Sequence, residues 1–284
     1  MNANLDLIGL RDISSVFSRS AFVDILDFND YSHFDWILSK YDYSKCSTYL
    51  DIIKKTYSSI AKDYRCEYVY KNELIKHLIN GYGVRNTVYF SEFRVGKSIA
   101  DIVMFNGESK VFEIKTEYDT IRRLDKQLND YKCFFDKSFV VIPESRYNEY
   151  YNIIDSSIGI ITMIRENGRI KLEEARPAEQ NNNFDVGVLM SCLRMEEYKN
   201  IASSLGGTFE NVPGYDLFSY CYKVMSNADT DMLKKCFLRE VRKRKNNTSL
   251  LKKYPSSVRQ MMLSLNLSEK KANILLKQLN TNIN

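Results

Sequence analysis

The chain has 284 residues, 44% hydrophobic and 27% charged, with a formal net charge of +5, the profile of a soluble globular protein of one large domain or two modest ones. No apolar run approaches the ~18–20 residues that span a bilayer, and the opening MNANLDLIGLRDISS has no basic segment followed by an apolar one, so no membrane partner and no secretory signal are expected, and a cytoplasmic location is. The six cysteines are irregularly spaced with no CxxC pair, and the only histidines are His33 and His77, which argues against both a disulfide frame and a structural zinc site.

Three zones follow from periodicity. Residues 1–62 read as helical, with Leu50, Ile53, Tyr57 and Ile60 at helical spacing. Residues 63–178 alternate helices and strands, and residues 179–284 return to helix, with stops at Gly206-Gly207 and Pro255. In the middle zone, EYVYKNELIKHLING is a helix that Gly81 would end, followed by the strand NTVYFSEF. IADIVMF and KVFEIK come next, apolar but for Asp101 in the first and for Glu113 and the end lysines in the second. Strands apolar on both faces are buried on both faces, where an acid is costly unless paired or metal-bound. TIRRLDKQLNDYKCFF puts Ile121, Leu124, Leu128, Tyr131 and Phe135 on one helical stripe. SFVVIPE is a further buried strand, and GIITMI and RIKLEEAR form a hairpin through Glu166-Asn167-Gly168. The order predicts an α/β mixed central sheet flanked by helices, with helical additions at both ends.

Residues two apart on a strand share a face, so Glu113 and Lys115 point the same way. Whether Asp101 joins them depends on the turn. A two-residue Asn106-Gly107 turn would pair 101 with 112 and send Asp101 to the other face. A three-residue connection over 106–108 pairs 105 with 109 and sets 101 across from 113, and Gly107 suits such a turn. Carboxylates opposed at about 5 Å destabilise each other unless a cation lies between them. Hard oxygen ligands suit Mg2+ or Mn2+, which would activate water for attack on a phosphodiester. Lys115 stands ready to orient that water or stabilise the transition state.

Asp101, followed after eleven residues by Glu113-Ile114-Lys115, resembles the core signature of the PD-(D/E)xK nuclease superfamily, and in particular a largely uncharacterised bacterial and phage-associated group within it. The resemblance implies a restriction-endonuclease-like sheet and a metal-dependent deoxyribonuclease. It implies an acid from the preceding helix as a third metal ligand, for which Glu73 is first choice and Glu67 second. It also implies a Q-x-x-x-Y pair, matched by Gln127 and Tyr131, with Gln127 orienting Lys115 or the phosphate. Ile99-Ala100 stand where the family often has proline. Members of this kind serve restriction, repair or antiviral defence. The resemblance is good over about a quarter of the chain, from Glu73 to Pro143, and poor over the C-terminal third.

Nucleic acid, with DNA preferred, is the expected partner. Arg94, Lys97 and Tyr131 are read as nucleic-acid-binding, and so is the basic run Arg242, Lys243, Arg244 and Lys245. The C-terminal helices are left as a surface for a homodimer or protein partner. Two rivals share the fold: a catalytically inactive nucleic-acid-binding or interaction module, and an RNA-cleaving, toxin-like nuclease.

Overall fold

Residues 5–166 and 168–283 are described by the computed structural model; Asn167, the middle of the expected Glu166–Gly168 turn, lies outside them. Four helices come first: α1 (Leu7–Ser14), α2 (Arg19–Phe28), α3 (Ser32–Lys40) and α4 (Tyr49–Asp63). α4 starts on a capping box, in which Thr48 accepts from the Asp51 amide while the Asp51 carboxylate accepts from that of Thr48. It buries the expected Leu50, Ile53, Tyr57 and Ile60. α5 (Glu67–Tyr82) runs one residue past Gly81 and ends on Gly83, whose φ of 72° suits a residue without Cβ.

The sheet has six strands in chain order: β1 (Val88–Val95), β2 (Ser98–Phe105), β3 (Ser109–Ile114), β4 (Lys137–Pro143), β5 (Gly159–Glu166) and β6 (Arg169–Arg176). β1, β2 and β3 form an antiparallel meander, β3, β4 and β5 run parallel, and β6 returns antiparallel. α6 (Leu124–Lys132) and α7 (Tyr147–Ile153) make the two parallel crossovers. The remaining helices are α8 (Val186–Ser191), α9 (Met195–Ser204), α10 (Leu217–Ser226), α11 (Thr230–Arg242), α12 (Arg259–Leu265) and α13 (Glu269–Leu279).

Each face of the sheet carries its own core. Phe112, Ile114, Phe139 and Val141 face a layer built from α5, the N-terminal helices and α12–α13. Val111, Val140, Ile142 and Ile160 face α6, α7 and α8–α11. The strict alternation along β3 and β4 is what buries both faces. The 179–284 zone is therefore divided: its first part covers one face, and its last helices join the N-terminal zone on the other, where the Ile283 amide donates to the Ser47 carbonyl.

The alternation breaks in β1 and β2 together. Val103 and Phe105 lie in the α6-side core, yet so does Ala100; Phe93 and Val95 lie there, yet Phe90 packs against it too. The switch is centred on Glu92, whose φ of 57° is left-handed and turns an extended chain over. Glu92 falls opposite Asp101, between the pairs Ser91–Ile102 and Phe93–Ala100. No helix among the described residues is long and apolar enough to cross a membrane, and all six cysteines are free thiols.

Candidate active site

The β2–β3 connection has the odd length that brings the acids together. Phe105 pairs with Ser109 and Ile102 with Phe112, so the next step sets Asp101 across from Glu113. The Asn106 amide donates to the Glu108 carbonyl at 3.1 Å, and Gly107 at the tip has a φ of 108°, where any side chain would strain the backbone. The ladder stops at this level. Asp101 takes its place, with Oδ2 accepting from the Ile114 amide at 2.8 Å.

Glu113 is almost wholly buried, 2% exposed, and both of its oxygens are engaged. Oε1 accepts from Lys115 Nζ at 2.9 Å and from Gln127 Nε2 at 2.5 Å. Oε2 accepts from the Tyr131 hydroxyl at 2.6 Å. Lys115 Nζ also donates to Gln127 Oε1 at 3.1 Å, closing a triangle. Gln127 and Tyr131 are one helical turn apart on α6, which is why both reach one carboxylate.

Burial pushes the Asp101 carboxyl above its ordinary range, against the pull of Lys71 and the Ile114 amide. Burial and then the Asp101 charge hold Glu113 up as well, against Lys115 and Tyr131. Burial and Glu113 raise the Tyr131 phenol well above its usual range, so it stays a donor at any working pH.

Sequence reasoning missed Lys71. Its Nζ lies 3.1 Å from Asp101 Oδ1 and 2.6 Å from Glu67 Oε1. Burial opposes its charge, but Asp101 and Glu67 outweigh that and hold the ammonium above its ordinary range. The available signal was a lysine one turn after Glu67, on the inward stripe of an otherwise apolar helix face.

Two expectations need correction, and a third set of residues lies away from the acids. Glu73 does not join the acids: its Oε1 accepts from the Tyr57 hydroxyl at 2.5 Å and from Lys76 at 2.7 Å. Two residues beyond Lys71 on a helix is about 200° around the axis, so α5 directs Glu67 and Lys71 to the site and Glu73 away from it. Tyr131 is fully buried and spends its hydroxyl on Glu113, so it offers nucleic acid no ring. The basic run sits at the other end of β2 and β3, where Arg242 and Lys243 border a groove with Gly107, about 20 Å along the strand from Asp101. Arg244 is committed to Glu197 at 2.6 Å, Lys243 pairs with Glu240 at 2.6 Å, and Lys245 is exposed. Arg94 and Lys97, in contrast, stay exposed on the β1–β2 hairpin beside Asp101, with no ion pair among the described residues.

The donor set left for a metal is two carboxylates. Among the described residues, no group of three or more His, Cys, Asp or Glu gathers around one point. Two are enough for Mg2+, which is usually held by one or two carboxylates and completes its shell with water and substrate oxygens. The buried, mutually repelling Asp101 and Glu113 fit such an ion.

Curated proteins similar to this chain include two with informative overlap. Protein cII of Enterobacteria phage P4 is 28% identical over 131 residues, 45% of this chain and 47% of that protein. UvrABC system protein B of Clostridium beijerinckii is 30% identical over 165 residues, 53% of this chain and 24% of that protein. The chain thus spans about half the length of the first and about a quarter of the second. A solved structure of a protein of unknown function from Silicibacter pomeroyi overlays 47% of this chain and 86% of its own, with 15% identity and a TM-score of 0.32, too slight a likeness to carry an argument. The family model described as bacteriophage P4 protein cII matches residues 60–269, from the end of α4 to the start of α13 and so across the whole sheet and both acids, and the chain belongs to that family.

Proposed function

We propose that this protein is a metal-dependent nuclease of restriction-endonuclease-like fold that hydrolyses DNA phosphodiester bonds. The observation that carries the reading is the register of β2 against β3, which sets Asp101 across from Glu113 with Lys115 and Gln127 on the same carboxylate. A buried sheet tolerates such a cluster poorly unless function requires it.

Asp101 and Glu113 would hold Mg2+ or Mn2+. When bound, the ion supplies Lewis acidity, acidifying water and neutralising charge that grows on the phosphoryl oxygens. The chain's own part is positioning. Tyr131 pins one Glu113 oxygen so that the other faces the site. Gln127 bridges Glu113 and Lys115, fixing the ammonium where it orients the attacking water or meets the developing charge. Arg94 and Lys97 stand at the edge, where phosphates flanking the scissile one would pass.

One observation favours a second reading, an inactive nucleic-acid-binding module. Both acids already carry lysine partners, Lys71 on Asp101 and Lys115 on Glu113, so charge is balanced without an ion. A cleavage assay on circular DNA, linear DNA and RNA in Mg2+ and Mn2+ separates the readings. Cleavage that disappears in Asp101→Asn and Lys115→Ala supports the nuclease. Metal-independent binding with no product in any arm rejects it, and cleavage of RNA alone moves the substrate to RNA.

A further inference from the structure

The residues around Glu73 form a second charged site. A cavity of about 520 Å3 opens between α4, α5 and the β5–β6 hairpin. Its lining includes Lys54, Lys62, Lys76, Arg165 and Arg169 against one carboxylate, Glu73. That carboxylate is 8% exposed and is neutralised by Lys76 at 2.7 Å. Lys54 and Lys62 lean on Asp51 and Asp63 at the rim, at 3.3 and 4.0 Å. Arg165 is anchored through Nη1 to the Lys62 carbonyl at 2.8 Å, which leaves the rest of its guanidinium fork free. Arg169 has no ion pair among the described residues. Cations gathered around one hollow repel each other, a cost that an anion in the hollow removes.

A second observation points to a ligand. Ser257 lines the same cavity, is 5% exposed, and its Oγ has no partner among the described residues. A buried hydroxyl without a partner loses its hydrogen bonds to water and gains none in return. A phosphate oxygen is the acceptor that suits both this hydroxyl and the arginine forks.

The cavity lies at the same end of the sheet as the acids. Ile114 is level with Val141, and Val141 with Ile161. Arg165 is four residues further along β5, about 13 Å on and, two strands over, about 10 Å across. The separation, about 16 Å in the plane of the sheet, is within the reach of one nucleic-acid strand. Arg242 and Lys243 lie at the opposite end of the sheet.

We propose that this cavity grips a backbone phosphate of the nucleic-acid strand whose scissile phosphate lies at Asp101 and Glu113. The proposal rests on the nuclease reading and adds a phosphate contact at the end of the sheet where the acids lie.

The test is fluorescence anisotropy with a labelled 20-mer duplex, its single strand and the matching RNA, across a salt series, in an Asp101→Asn background that blocks turnover. Arg165→Ala with Arg169→Ala should make the duplex salt slope shallower by about 0.9, the share of the one phosphate the cavity holds. Arg242→Ala with Lys243→Ala should leave the slope unchanged. Both pairs are exposed, and an unaltered melting temperature verifies the fold. An unchanged slope in the Arg165/Arg169 variant overturns the proposal while leaving the nuclease reading intact. If inorganic pyrophosphate stabilises the parent but not that variant, and the slope does not move, the cavity belongs to a free phosphate ligand and the proposal fails. If the parent binds neither DNA nor RNA, both readings fall together.

Discussion

The Lys71 ammonium lies 3.1 Å from Asp101 and 2.6 Å from Glu67, so one buried cation is shared by a site acid and an exposed acid. The divalent ion proposed for Asp101 would have to compete with it. Lys71→Met should tighten Mn2+ binding by at least about tenfold, since like charges at about 4 Å cost several kcal/mol even in a screened interior. Glu67→Gln should weaken it, because Lys71 would then lean harder on Asp101. In the Lys71→Met background, Glu67→Gln should have no effect, a coupling that calorimetric Mn2+ titration of the four proteins measures. A Glu67 effect that persists without Lys71 would make Glu67 a direct ligand instead.

Asp101→Asn should gain stability relative to the parent as pH rises. The folded carboxyl is raised by burial, so the native state holds this proton more tightly than the unfolded chain does. Stability from that group is complete below the ordinary carboxylate range and is lost as pH climbs through the raised folded value. Asparagine removes the loss. Urea unfolding of metal-free protein at pH 4 and pH 8 should show the variant's advantage at pH 8 only, and a constant difference would contradict it.

Tyr131→Phe should act through Glu113. Losing the 2.6 Å donor leaves a buried acceptor short of a partner, at about 1–3 kcal/mol, and removes a group that favours its charged form. The pH midpoint of Mn2+ binding should move upward, with little change in the plateau affinity. A fall in stability with no shift in that midpoint would make Tyr131 structural only.

Glu73→Gln should leave Mn2+ affinity unchanged, because Tyr57 and Lys76 hold that carboxylate away from the acids. A tenfold loss of affinity would return Glu73 to the ligand set.

Glu92→Gly should stabilise the fold by about 1 kcal/mol, the typical cost of a left-handed φ in a residue with Cβ, read as a higher urea midpoint at constant slope.

The sheet and the register were legible because strands carry strict local rules. Asp101 and Glu113 stood out as acids in apolar runs, and the Gly107 loop offered only two registers with opposite outcomes. Gln127 and Tyr131 were legible as a one-turn pair, although Tyr131 was assigned the wrong neighbour, since spacing gives a direction but not the depth of burial. Glu73 and Lys71 exchanged roles for a related reason: two residues on a helix separate facing from not facing, and the sequence does not say which stripe meets the sheet. The place of the basic run was not legible because charge density along the chain carries no information about which end of a strand it will flank. The Arg165–Lys76 cavity was invisible because its cations come from three separate elements.

The turnover of β1 and β2 at Glu92 and Asp101 has a dynamic consequence. Glu113 is held by α6 in one layer, while Asp101 is tied to α5 in the other, so the two acids meet only while both layers are docked on the sheet. The Ile114 amide is the natural reporter, since it donates to the Asp101 side chain rather than to a strand. Its hydrogen-exchange rate should track the opening of whichever layer detaches first, and with it the fraction of molecules in which the two acids stand together.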